Sequence, residues 1–273
     1  MSTAIDIVNE SHAAEAFSRQ SAVFDDIYGH DGIIRYKRWR VRSHVEQFLQ
    51  PGSHILELNA GTGEDAIYFA QQGHYVHATD IAGGMQQVLT QKSALMREHI
   101  THEICSFTQL EDLRNKGPFD HIFSNFGGLN CTGELDKVLS SFDSLLKPGG
   151  KVTLVIISKF CLWETLLVFR GKFKTAFRRF FSKHGRKAHV EGTYFKCWYY
   201  WPSYVVDQLK DKFKLLGIEG LCTIVPPSYI EGFAEKHPKA FQFLSQAENR
   251  RKAAWPWRSM GDYYIISLEK NPS

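Results

Sequence analysis

Glu57, Gly61, Gly63 and Asp80 are the residues whose types and spacing are best suited to chemistry. They lie in and just after "ILELNAGTGEDA" at 55–66, where an apolar strand runs into a turn with two glycines and then into an acidic, helical stretch. A turn of this kind brings backbone N–H groups close to a phosphate, a dinucleotide or another nucleoside. It also serves as a plain tight corner. A P-loop needs Lys-Ser/Thr after its last glycine, whereas Glu64-Asp65 follow here, and two acids repel a polyphosphate. A dinucleotide turn reads G-x-G-x-x-G, with the pyrophosphate on the helix N-terminus. The pattern Glu57-x-Asn59-x-Gly61-x-Gly63 lacks the third glycine and sets acids where the pyrophosphate would lie. A cationic nucleoside suits it better. The strand ends in a carboxylate, the small residues Ala60 and Gly61 admit close backbone approach, and acids stand nearby.

The elements that must position these residues alternate. "HILEL", "YVHATD", "FDHIFSNF" and "KVTLVII" read as strands, and "HEICSF" as a short one; helices fall at 63–72, 84–97 and over "ELDKVLSSFDSLL". "KPGG" at 147–150 reads as a turn. Strand alternating with helix predicts an α/β fold, a Rossmann-like, mostly parallel sheet with helices on both faces. Asp80 then ends the strand after the glycine turn, about 20 residues on, where a carboxylate accepts both ribose hydroxyls in charge-assisted bonds. Ile81 and Met85 follow, placed to sandwich an adenine, although Met85 serves as well in a core. S-adenosylmethionine, with its amino group and sulfonium, fits a site with these acids.

With these motifs in place the chain resembles the class I S-adenosylmethionine-dependent methyltransferases. Within them it is similar to the broad small-molecule group that includes the ubiquinone/menaquinone methyltransferases. "ILELNAGTGEDA" resembles their first motif and "ATDIAGGM" their second; "FDHIFSNFGGLN" and "LLKPGGKVTLVI" resemble the fourth- and fifth-strand segments. The likeness covers 24–157 and resumes weakly at 193–225 and 261–270. It implies a seven-stranded sheet and S-adenosylmethionine as cofactor. It implies that Glu57 shapes the methionine-side pocket, Gly61 and Gly63 allow backbone approach, and Asp80 binds the ribose. Ser106 and Phe107 would flank the adenine edge, and Asn125 would lie beside the methionine, unless it is only a turn residue before Gly127-Gly128. Tyr28 and Arg38 come from N-terminal segments that fold over the cofactor in such enzymes; Arg38 either pairs with the methionine carboxylate or is a solvated surface arginine. Asn59 stands where glycine is usual, and asparagine tolerates the left-handed backbone such a turn needs.

Four regions are expected: an N-terminal helical cap segment (1–50), the cofactor-binding core (51–157), a basic aromatic helical lid insertion (158–192), and the remainder of the core with a second helical insertion at 226–258 (193–273). The stretch 159–187 carries nine Lys or Arg against one Glu, with apolar and aromatic residues interleaved. Two helices meeting near Gly171 would each have an apolar and a basic side. Such a segment suits a lid over a greasy acceptor, an anionic membrane surface or nucleic acid; no base-stacking module accompanies it. Apolar residues at 43%, charged residues at 23% and a net charge of +4 are ordinary for a globular protein and do not single out nucleic acid. Five scattered cysteines without zinc spacing predict neither metal nor disulfide framework. The start has no secretory pattern and no apolar run is long enough to span a bilayer, so the cytoplasm is expected, with possible peripheral membrane contact through 159–187. The function expected is methyl transfer, by in-line displacement, to a small apolar or amphipathic metabolite, with no catalytic base singled out. The alternatives are an RNA or protein methyltransferase and a non-catalytic nucleoside-binding scaffold.

Overall fold

A computed structural model describes residues 4–272. Two helices precede the sheet: α1 (Ala4–Gly29) and α2 (Gly32–Glu46). Asp31 caps α2, its side chain accepting the Ile34 N–H at 2.8 Å. Next come β1 (His54–Leu58), α3 (Glu64–Gln71), β2 (Tyr75–Asp80), α4 (Gly83–Lys92) and β3 (Ile100–Ile104). β4 (Phe119–Ser124), α5 (Leu135–Ser140), α6 (Phe142–Leu145) and β5 (Leu146–Ile157) complete the predicted alternation. "KPGG" lies within β5 rather than before it; the β4–β5 register shifts between Phe119 and His121.

The seven-stranded sheet has the order β3-β2-β1-β4-β5-β9-β8, with β8 (Phe213–Leu221) and β9 (Tyr263–Lys270) at one side. β9 alone runs antiparallel to both its neighbours. Sheet strands buried on both faces read as unbroken apolar runs, and β5 carries such a run at Val152–Ile156 apart from Thr153. One core face gathers Leu56, Leu58, Ile122, Leu154 and Ile266; the other gathers Ile55, Phe69, Val76, Phe123 and Ile265. The strand order reverses between β1 and β4, so their carboxyl ends open a crevice where ligands bind in open α/β sheets.

The basic excursion departs from the two-helix expectation. It holds α7 (Leu162–Thr165), a 3-10 turn over Leu166–Arg170, α8 (Phe173–Phe177) and a strand, β6 (Arg186–Val190). β6 pairs antiparallel with β7 (Thr193–Cys197), so 193–197 joins a separate ribbon and not the main sheet. Gly185 and Gly192, both at positive φ, and Gly171 break what a helix would have continued. α9 (Pro202–Leu209) precedes β8, and α10 (Phe233–Lys236) and α11 (Pro238–Arg251) precede β9. Among the described residues, no helix is long and apolar enough to cross a membrane.

Candidate active site

The glycine turn after β1 is built on left-handed backbone. Asn59, Gly61 and Gly63 have φ of 48°, 57° and 80°. A Cβ on Gly63 would sit 2.1 Å from Leu89, so this position also lets α3 pack on α4. Asn59 accepts the tolerated conformation and braces the site: its Nδ2 donates to the Asn125 carbonyl at 3.0 Å, and its Oδ1 accepts from the Ser124 hydroxyl at 2.6 Å. The turn after β1 is thereby tied to the turn after β4. Asp80, at the end of β2, accepts from the Gly61 N–H and the Ala82 N–H, each at 2.8 Å.

A cavity of about 130 Å³ opens at the crevice. Eight of the thirteen sequence candidates line it: Glu57, Asn59, Ala60, Gly61, Asp80, Met85, Asn125 and Arg38. Gly63 lies behind the turn, and Ile81 follows Asp80 without lining the cavity. Tyr28 lines neighbouring cavities instead. Ser106 and Phe107 do not line it either; both are buried, and the Ser106 hydroxyl donates to Glu10 of α1 at 2.6 Å.

Three carboxylates face one another here, and burial sorts their protons. Glu57 is 2% exposed, and its Oε2 is buried with no hydrogen-bond partner. Burial, then the Asp65 charge, pushes its carboxyl well above the usual range. Burial also raises Asp65, but Arg38 and Arg42 outweigh it and hold this carboxyl below its usual value. Arg38 Nη1 reaches Asp65 at 3.1 Å, Arg42 Nε at 2.7 Å, and Asn125 Nδ2 at 2.7 Å. The surroundings therefore favour the charged form of Asp65 and the neutral form of Glu57, a separation set by environment. Burial raises Asp80 as well, against three backbone N–H groups that favour its charged form. Arg38 is only partly exposed and engaged with Asp65, which rules out the solvated surface reading.

Sequence reasoning missed Asp65, Phe17, Phe24 and Phe126, all of which line the cavity. Asp65 stood inside the glycine motif, but its ion pairs with Arg38 and Arg42 join residues far apart in the chain. Phe17 and Phe24 lie on α1, which crosses the crevice. α1 is fixed there by several contacts. Thr62 donates to Asp25 at 2.6 Å, Lys92 donates to Asp25 at 2.9 Å, and Gly84 N–H donates to Ser18 Oγ at 3.2 Å. Phe126 has φ 50°, a conformation uncommon outside glycine, and its ring carries the Arg38 guanidinium 4.9 Å from its centroid.

The excursion 159–187 lines none of the cavities that adjoin this turn. It is anchored beside the site by Arg179, which donates to the carbonyls of Ser158 and Asp262, each at 2.9 Å, and to the carboxylates of Glu164 and Asp262, each at 2.6 Å. Cys161, Glu164 and Asp262 come close enough together to hold an ion, but Arg178 and Arg179 already neutralise these carboxylates.

Residues 55–150 match the family model described as a methyltransferase domain. An uncharacterised methyltransferase of Synechocystis sp., sll0829, is 30% identical over 134 residues, covering 46% of this chain and 59% of that one. The ubiquinone/menaquinone biosynthesis C-methyltransferase UbiE of Cupriavidus necator is 28% identical over 134 residues, covering 48% and 53%. The chain thus spans little more than half the length of these curated relatives. A solved structure of the Burkholderia thailandensis 1,6-didemethyltoxoflavin-N1-methyltransferase, with 1,6-didemethyltoxoflavin and S-adenosylhomocysteine bound, superposes with a TM-score of 0.60. It is 15% identical and covers 99% of this chain and 92% of that one. The fold is therefore the Rossmann-like methyltransferase fold, and the resemblance to class I S-adenosylmethionine-dependent methyltransferases read from the motifs holds.

Proposed function

We propose that the chain is an S-adenosylmethionine-dependent methyltransferase that transfers a methyl group, by in-line displacement, to a small acceptor with apolar surface. The observation that carries this is Glu57: a buried carboxyl with an orphaned oxygen, in a notch shared with Asp65 and Asp80 at the point where strand order reverses. A buried acid left unpaired is costly, and an ammonium group in the notch would satisfy it. When bound, the cofactor supplies an electrophilic methyl on a sulfonium. Glu57 takes the amino group, Asp80 the ribose hydroxyls, and Arg38, with N–H groups beyond the one given to Asp65, lies within reach of the carboxylate. Met85 covers the adenine, and Phe17, Phe24 and Phe126 exclude water from the transfer path. Ser106, with Thr108, holds α1 through Glu10, and Phe107 packs in the core. Asn59, where glycine is usual, acts as a brace and leaves the notch open.

The acceptor is a small organic molecule, as those named for the relatives are, and it meets the protein in the cytoplasm, beside a membrane. Phe169, Phe173 and Phe181 are 86%, 58% and 70% exposed among the basic residues of 159–187, which supports a peripheral contact with anionic lipid and replaces the lid expected of this segment.

Calorimetry with S-adenosylmethionine and a methyl-label assay test the proposal. Micromolar or tighter binding by wild type is expected, together with its loss in Asp80→Ala, and label should move into an extract compound. Absence of binding to wild type, or full binding by a folded Asp80→Ala, overturns it.

A further inference from the structure

A second cavity, of about 180 Å³, adjoins the notch and shares Phe17, Phe24, Arg38 and Phe126 with it. Its remaining lining includes Lys37, Ser228 and Tyr263. Lys37 is 3% exposed, the most buried lysine among the described residues. Its Nζ reaches Ser228 Oγ at 3.2 Å and stands 4.8 Å from the Tyr263 ring centroid and 5.5 Å from that of Phe126. None of the ion pairs among the described residues involves it: Arg38 and Arg42 take Asp65, and Arg40 takes Glu219 and Glu248. One hydroxyl and two ring faces compensate a buried ammonium only in part, because burying a charge without a counter-charge is strongly unfavourable. Cations elsewhere in this protein show the contrast. Arg40 and Arg179 are as deeply buried, and each meets two carboxylates.

We infer that this cavity binds the methyl acceptor, and that the acceptor is an aromatic or conjugated organic anion whose charged oxygen pairs with Lys37. The inference rests on the methyltransferase reading, and it adds the class of acceptor. The aromatic walls suit a planar ring, offset-stacked or edge-on. The ammonium supplies the counter-charge and fixes which end of the ring lies deep. Phe126 forms the partition between donor and acceptor, and its strained backbone follows from holding a large side chain there. Ser228 lies in the loop between β8 and α10, so the cavity is completed by a segment outside the matched methyltransferase stretch. Acceptor choice is then set by residues that the cofactor motifs do not include.

The test is calorimetry on the full chain saturated with S-adenosylhomocysteine. The probes are benzoate, salicylate and 4-hydroxybenzoate, each compared with its primary amide. Wild type should prefer carboxylate over amide by about tenfold or more, as expected for one hydrogen bond to a charged group. Lys37→Met should abolish that preference, Lys37→Arg should keep most of it, and both should retain S-adenosylhomocysteine binding. Equal binding of acids and amides by wild type, no binding of any acid, or an undiminished preference in Lys37→Met overturns the inference. The wild-type comparison decides the matter if Lys37→Met does not fold. Failure of S-adenosylhomocysteine itself to bind overturns the methyltransferase reading; binding without anion preference removes only the acceptor class.

Discussion

Glu57→Gln separates affinity from stability. The amide matches the carboxyl in size, so packing at the end of β1 is kept and only the capacity to ionise is removed. Glu57 is held well above its usual range by burial and by Asp65. Its folded value therefore exceeds the unfolded value of about 4.3. Its contribution to stability is then complete below about pH 4.3 and is lost as pH rises through the raised folded value. The variant should show a flatter pH dependence and be no less stable than wild type at neutral pH. Ligand binding should respond oppositely. An ammonium paired with ionised Glu57 gains a hydrogen bond to a charged group, about 1.5–3 kcal/mol, so the variant should bind S-adenosylhomocysteine about 10- to 150-fold more weakly. Methylthioadenosine, which lacks the amino-acid portion, should bind both proteins alike. Wild type should release a proton on binding S-adenosylhomocysteine while Glu57 is protonated in the free protein. Its affinity should rise with pH up to that point, and calorimetry in two buffers of different ionisation enthalpy measures the proton. Unchanged S-adenosylhomocysteine affinity, or an equal loss for methylthioadenosine, refutes the reasoning.

Three further outcomes are expected. Asp25→Ala removes the acceptor shared by Thr62 and Lys92, and stopped-flow should show faster association of S-adenosylhomocysteine; a rate equal to wild type contradicts a latch. Arg179→Met leaves Glu164 and Asp262 without Arg179 and should lower stability by about 3–5 kcal/mol, seen in denaturant titration; a loss under about 1 kcal/mol would mean the network is dispensable. Phe169→Ser combined with Phe173→Ser and Phe181→Ser should abolish salt-sensitive flotation with phosphatidylserine vesicles, and wild type that stays off such vesicles removes the membrane contact.

The parallel sheet and the cavity at the glycine turn were legible because both are local in sequence. A strand, its glycine turn and the following helix occupy a dozen residues, and Asp80 falls at the end of the next strand. What stayed hidden depends on distance along the chain. Asp65 reads as one more acid beside Glu64 until Arg38 and Arg42 are brought against it from α2. Lys37 reads as a surface lysine in "IIRYKRWR", because the periodicity of α2 does not reveal that β9 and the loop after β8 cover that side too. The basic excursion failed for another reason. Its composition favours amphipathic helices, but glycines at 171, 185 and 192 in left-handed conformations divide it, and pairing with 193–197 turns its last part into a strand. Composition gave its charge, but not its form.

α1 connects the two cavities to a single event. It contributes Phe17 and Phe24 to both, so neither wall is complete until the helix lies across the crevice. With α1 in place the donor cavity is about 130 Å³, smaller than the roughly 300–1,000 Å³ of sites that enclose drug-sized ligands. On the proposed reading a nucleoside sulfonium reaches Glu57 only if α1 yields. Polar contacts hold the helix over the crevice, Asp25 to Thr62 and Lys92, Ser18 to Gly84, Glu10 to Ser106 and Thr108, while Ala13, Ala16 and Phe17 pack against Cys131 and Phe195 and Asn9 bonds Cys131 and Lys196. Thr62 belongs to the glycine turn and Gly84 opens α4, so the groups that hold the helix also border the notch. On the proposed reading, donor binding at the turn and closure of α1 are coupled, because Phe17 and Phe24 wall both cavities.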